Sequence, residues 1–105
     1  MDTEKCRALL AVLEAGSLSA AAEKLDYTPS GLSRMMAALE QDLGFPLLSR
    51  SHNGVQPTRA CRTLLPTLRE LTHWSALLEA QAADIRGVET GTIAVGCVYG
   101  AYYGW

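Results

Sequence analysis

The stretch SLSAAAEKLDYTPSGLSRMMAALEQDLG, Ser17 to Gly44, decides the reading of this chain. Leu18, Ala21, Ala22 and Leu25 fall at i, i+3, i+4 and i+7, forming one apolar stripe on a first helix. Ser17 precedes the stripe, where its hydroxyl accepts an orphan backbone N–H and caps that helix. Asp26-Tyr27 breaks the pattern, and Thr28-Pro29 restarts it as an N-cap followed by a first helical residue whose missing N–H costs nothing. Leu32, Met35, Met36, Leu39 and Leu43 define a second core-facing stripe, so the Met35-Met36 pair reads as core and not as a ligand box. Gly44 ends the helix as a left-handed cap. Two helices joined by so short a link cross steeply, which is the geometry of a helix-turn-helix. That pattern predicts a reader of DNA.

Working outward, a preceding helix is expected over about Thr3 to Glu14, with Cys6, Leu9, Leu10 and Leu13 as its stripe and Gly16 as its stop. Downstream, Phe45–Arg50 and Val55–Thr58 are short extended candidates flanking Ser51-His52-Asn53-Gly54. Asn-Gly between two extended runs signals a hairpin, and a hairpin directly after a recognition helix is a wing. Pro57 suits the end or edge of such a strand, where no ladder donor is needed.

Thr58 is a further N-cap, opening a helical pattern from Arg59 to Arg86 that would extend for about 42 Å at 1.5 Å per residue. Positions 61, 64, 68, 71, 75, 78, 82 and 85 alternate in steps of three and four and carry Cys, Leu, Leu, Leu, Ser, Leu, Ala and Ile. A seam of that period is a pairing surface of the coiled-coil kind, and Trp74 and Leu77 widen it. On this reading Leu64, Leu68, Leu71, Trp74, Leu78 and Ile85 are the dimerisation residues. Pro66 lies inside the pattern and favours a kink. Val88-Glu89-Thr90-Gly91 breaks it, and Thr92–Tyr99 reads as a buried strand that lacks partner strands within this chain.

The expected fold is therefore mainly α: a winged helix-turn-helix of three helices plus a small β-hairpin wing, followed by a long dimerising linker helix. The expected divisions are 1–58 for the DNA-binding domain, 59–87 for the linker helix and 88–105 for the start of a truncated further domain.

Composition sets the function classes. The chain has 105 residues, 49% of them hydrophobic, enough for one small domain with a modest core. Its net charge of −2 runs against a nucleic-acid reading, but distribution counts for more than the sum. Between residues 28 and 62 the charged residues are Arg34, Arg50, Arg59 and Arg62 against Glu40 and Asp42, so the middle block is locally positive. Cys6, Cys61 and Cys97 are widely spaced, with no metal-ligand pattern, and read as reduced thiols of a cytoplasmic protein. The charged N-terminus is unlike a signal peptide, and no stretch approaches the ~20 apolar residues of a membrane span. No nucleophile–base pair, metal cluster or phosphate-cradling glycine loop is present, so an enzyme is the weakest reading, and no cofactor or metal is expected.

On the second helix Ser30, Ser33, Arg34, Ala37 and Gln41 lie opposite the core stripe, and only that face reaches base edges in a major groove. Arg34 can pair its fork with guanine, or else lie on a phosphate or in solvent. Ser30 and Ser33 are short enough for close approach, or are surface filler; Gly31 either lets the backbone approach or is merely tolerated. Ala37 and Ala38 either touch thymine methyls or serve as helix formers. Ser17, Leu18 and Ser19 open the first motif helix, whose free N–H groups favour a phosphate. Thr28 and Pro29 open the second. Arg50 at the base of the wing, with His52 and Asn53 at its tip, is placed for the minor groove or the backbone, or makes no contact.

The assembled motifs resemble the N-terminal DNA-binding domain of LysR-type transcriptional regulators. The matching stretches are Ala15–Leu25, Thr28–Ser33 and Leu39–Leu48, followed by Arg50, Pro57-Thr58 and Leu65-Pro66, and the resemblance covers about residues 1 to 96. It implies a bacterial-type regulator, a linker helix that dimerises, and a small-molecule effector bound only through an absent C-terminal domain. A proline at position 66 is common in the family's linker helix. The sequence departs from the family pattern at Pro29, where glutamine is frequent, at Met35, Ala37 and Ala38, where basic or polar residues are, and at Cys61, where glycine is usual nearby.

The leading expectation is a dimeric, sequence-specific DNA-binding transcriptional regulator. Its recognition helix, about 29–43, would enter the major groove of a pseudo-palindromic operator, with the wing, about 47–57, on the minor groove or backbone. A homodimer or higher oligomer is expected, with no membrane partner. The alternative is a truncated dimerisation module that pairs with full-length regulators and binds DNA weakly.

Overall fold

The computed structural model describes residues 2–89. Its elements run α1 (Thr3–Ala15), α2 (Leu18–Leu25), α3 (Pro29–Leu43), β1 (Leu48–Ser51), β2 (Gly54–Pro57) and α4 (Arg59–Glu89). The described residues are mainly helical and include one antiparallel two-stranded sheet, as a winged helix-turn-helix requires. The strand anticipated over Thr92–Tyr99 lies outside the described residues. The molecule divides into two compact units, the first ending at Thr72 and the second beginning at His73.

Local chemistry places the helix ends. Asp2 accepts the Lys5 N–H, Ser17 the Ala20 N–H and Thr28 the Gly31 N–H, so each of the first three helices starts on a side-chain cap. Gly16 and Gly44 close α1 and α3 in the left-handed region. Asp26 closes α2 at φ +67°, a conformation that Asp tolerates better than bulky residues. The tight link between α2 and α3 is then fixed by the Tyr27 N–H, which donates to the Ala22 carbonyl at 2.9 Å.

The core of the first unit is built from Cys6, Ala8, Leu9 and Val12 of α1, Ala21 and Ala22 of α2, Leu32, Met36 and Leu39 of α3, Leu47, and Cys61 and Leu68 of α4. Met35 and Leu43 pack against it from the margin. No polar side chain is buried among the described residues. On α1 the buried face differs from the expected stripe: Ala8 and Val12 are inside, while Leu10 and Leu13 are half-buried and line a shallow groove with Glu14, Pro57, Leu65 and Arg69. α1 packs on both α2 and α3, and the line between those two helices selects the Cys6–Leu9–Val12 side.

The hairpin forms with Leu48 opposite Pro57 and Ser51 opposite Gly54. The hairpin that Asn-Gly signalled is therefore present, with His52-Asn53 as its turn. His52 and Asn53 occupy the turn with negative φ, and Gly54 takes φ +111° as the first residue of the returning strand. The primed turn that Asn-Gly suggests would need positive φ at both central residues.

α4 runs through Pro66 without interruption. Its early turns form part of the core: Cys61 and Leu68, seven residues apart, are buried, and Leu64 and Leu71 pack beside them.

Candidate nucleic-acid interface

The core stripe of α3 faces inward, so the opposite face is free. Ser30, Arg34, Ala37 and Gln41 are exposed along it, with Thr28 and Pro29 exposed at the N-terminal end. Ser33 is half-buried and stands at the edge nearest the wing: the Arg50 Nη2 donates to Ser33 Oγ at 3.4 Å, a long contact. The wing arginine and α3 thus share one surface. His52 and Asn53 are exposed at the tip of the hairpin.

On α2, Ser17 is spent on its cap, Ser19 is exposed, and Leu18 packs against the core, so its side chain serves the fold. Gly31 has a specific role. A Cβ there would lie 2.9 Å from Thr28 Oγ1, the atom that caps α3 through the Gly31 N–H at 3.0 Å. Glycine at this position thus relieves crowding at the cap, since a Cβ would force the Thr28 hydroxyl to shift.

The proposed dimerisation residues separate into two groups. Leu68, 5% exposed, belongs to the core of the first unit, and Leu64 and Leu71 are half-buried against it. Trp74, Leu78 and Ile85 are 59%, 67% and 48% exposed, and Leu77 joins them at the surface. The heptad pattern does not distinguish these groups, because one helical stripe can meet its own core for four turns and solvent afterwards.

Arg34, Arg50, Arg59 and Arg62 are all exposed, so the locally positive block is displayed. The Lys5–Asp42 pair, 3.8 Å apart and partly exposed, links α1 to α3 weakly. Burial pushes the Cys6 and Cys61 thiols above their ordinary range; for Cys61 the Arg62 charge opposes this and the Glu40 carboxylate reinforces it. Among the described residues no group of three or more His, Cys, Asp or Glu could hold a metal, and no helix is long and apolar enough to cross a membrane.

Two residues escaped the sequence reading as site residues. Glu40 Oε2 accepts the N–H groups of Leu47 and Leu48 at 2.7 and 3.1 Å, anchoring the start of the wing to α3. Thr58 caps α4 as expected, but its Oγ1 also donates to the Pro46 carbonyl at 2.9 Å. Glu40 sits beside Leu39 on the margin of the core stripe, where a carboxylate that looks solvated by periodicity can instead face backbone donors.

A three-helix domain with an arginine-bearing helix and a wing on one face defines the winged helix-turn-helix class. The model of the bacterial regulatory helix-turn-helix proteins of the LysR family matches residues 3–62, and the chain belongs to that family. The chain is 35% identical over 104 residues to the HTH-type transcriptional regulator ClcR of Pseudomonas putida, covering 99% of this chain and 34% of ClcR. It is 46% identical over 95 residues to the probable regulator LrrA of Synechococcus elongatus, covering 90% of this chain and 32% of LrrA. The chain thus spans about a third of the length of these curated relatives. Among solved structures, the DNA-binding domain of CbnR in complex with DNA superposes with a TM-score of 0.73 at 32% identity, over 82% of this chain and 99% of that one.

Proposed function

We propose that this chain reads DNA as a dimer and serves transcriptional regulation, with α3 in the major groove and the β1–β2 wing on the minor groove or backbone. The observation that carries the reading is the shared surface of Ser30, Arg34, Ala37 and Gln41 with Arg50, free of core duties and flanked by exposed wing-tip residues. The relatives named as transcriptional regulators, and the CbnR domain described with DNA, support it.

Arg34 is the long polar side chain at the centre of the face and is assigned to bidentate pairing with a guanine; Ser30, Ser33 and the helix N-termini at Ser17–Ser19 and Thr28–Ser30 take phosphates. Trp74, Leu77, Leu78 and Ile85 offer the pairing surface along α4. The test is fluorescence anisotropy on the DNA upstream of the chain's own gene. Arg34→Ala should weaken binding by the equivalent of about 1–3 kcal/mol; unchanged affinity on that DNA overturns the assignment.

A second reading, a pairing module with weak DNA affinity, draws on the same exposed apolar residues of α4 and on the net charge of −2. A stable dimer that gives no mobility shift at low salt favours it.

A further inference from the structure

The peptide of Leu47 is gripped from two sides. Its N–H donates to Glu40 Oε2 at 2.7 Å, and the adjacent Leu48 N–H reaches the same oxygen at 3.1 Å. Its carbonyl accepts the Thr58 N–H at 3.0 Å. Thr58 Oγ1 in turn donates to the Pro46 carbonyl at 2.9 Å and accepts the Cys61 N–H at 3.2 Å. The Leu47 side chain is buried, so this segment is pinned by packing as well. Three elements meet here: the reading helix α3 through Glu40, the entry to the wing, and the first turn of α4 through Thr58. Hydrogen bonds to an ionised acceptor are shorter and stronger than neutral ones, which suits Glu40 to hold a fixed geometry.

We propose that Glu40 and Thr58 are positioning residues that set the angle between α3 and the first turns of α4, and through it the half-site spacing that a pair of chains accepts on DNA. This rests on the dimeric DNA-reading function proposed above and locates its spacing selectivity. Lever length makes the angle decisive. From Arg59 to Thr72, the end of the first unit, the helix rises about 20 Å, so a tilt of about 10° moves that end by about one base-pair step of 3.4 Å. Neither residue contacts a base in this assignment; both act through the Pro46–Leu48 backbone.

The test uses the full chain and duplexes selected by it from a random library, each remade with the spacer between half-sites one base pair longer or shorter. The wild type should lose about tenfold in affinity on the altered spacers. Glu40→Ala and Thr58→Val should lose much less, giving a relaxed ratio. Glu40→Gln keeps an oxygen for both N–H groups and Thr58→Ser keeps the hydroxyl, so both should restore the wild-type ratio. A general loss of stability lowers affinity on every spacer and leaves the ratio alone. Amide exchange at Leu47 and Leu48 should quicken in Glu40→Ala without any DNA. If folded Glu40→Ala, or Thr58→Val where Glu40→Ala does not fold, retains the wild-type ratio, the positioning role is overturned while the DNA-reading function stands. If the wild type selects no duplex, or only sites without paired half-sites, both fall.

Discussion

The carbonyl of Gly16 lies directly against Gly54: it accepts the N–H of the next residue, Val55, at 2.9 Å, and a Cβ on Gly54 would stand 2.6 Å from it. The stop of α1 is thereby the seat of the wing. Gly54→Ala combines this overlap with a φ of +111°, so it should cost about 1–3 kcal/mol from backbone strain alone. At about 4–8 °C per kcal/mol for a domain of this size, thermal unfolding should shift visibly. An unchanged Tm would mean that the hairpin seats elsewhere.

Gly31 should resist the usual benefit of replacing a helical glycine. Alanine gains about 1 kcal/mol in helix propensity, but its Cβ presses on Thr28 Oγ1, the capping atom. Loss of a cap costs about 0.5–2 kcal/mol, so Gly31→Ala should be neutral or destabilising in urea unfolding. In a Thr28→Ala background the same change should stabilise, because no cap remains to be lost.

Leu68 and Leu78 occupy the same heptad seam and should behave oppositely. Leu68 is buried in the first unit, so Leu68→Ala should cost about 2–5 kcal/mol. Leu78 is 67% exposed, so Leu78→Asp should leave the unfolding of the monomer nearly unchanged and shift sedimentation toward monomer. A dimer that survives Leu78→Asp, Trp74→Asp and Ile85→Asp removes α4 as the pairing surface.

Tyr27 donates its hydroxyl to Glu4 Oε2 at 2.7 Å, tying the turn between α2 and α3 to α1. This bond, aided by slight desolvation and the nearby carboxylates, raises the phenol above its ordinary value near 10. The contribution to stability is complete below that value and disappears as pH rises through the raised one. A difference titration of the phenolate absorbance against Tyr27→Phe should place Tyr27 above free tyrosine, and Glu4→Gln should lower it.

Cys6 and Cys61 should react slowly with alkylating agents at neutral pH, since both are buried and burial raises both thiols above 9. Their neutral forms favour the folded state, so stability should fall as pH climbs past 9, where the unfolded thiols ionise first. Peptide-resolved alkylation measures both. Rapid labelling of Cys61 at pH 7 would place it outside the core.

Helix-turn-helix and wing were legible because their signals are local. Ser17 and Thr28-Pro29 mark helix starts, Gly16 and Gly44 mark stops, and the Leu32–Leu43 stripe has the period of a helix with one buried side. The turn conformation was not: Gly54 has the positive φ that Asn-Gly suggests, but Asn53 does not, and Gly54 stands against the Gly16 carbonyl, a contact far away in sequence.

By itself the sequence determined the number of helices, most of their limits, the face of α3 left outside, and the family, since capping and periodicity act over a few residues. It missed the end of α4, which continues to Glu89 through the Val88-Glu89 expected to break it, because neither residue prevents helical backbone. The tertiary structure alone decided that Ala8 and Val12 enter the core, that Leu68 faces inward while Leu78 faces solvent, and that Glu40 and Thr58 clasp the Leu47 peptide. Those outcomes depend on where one element lands on another, and a helical period carries the phase of a stripe but not the identity of what covers it.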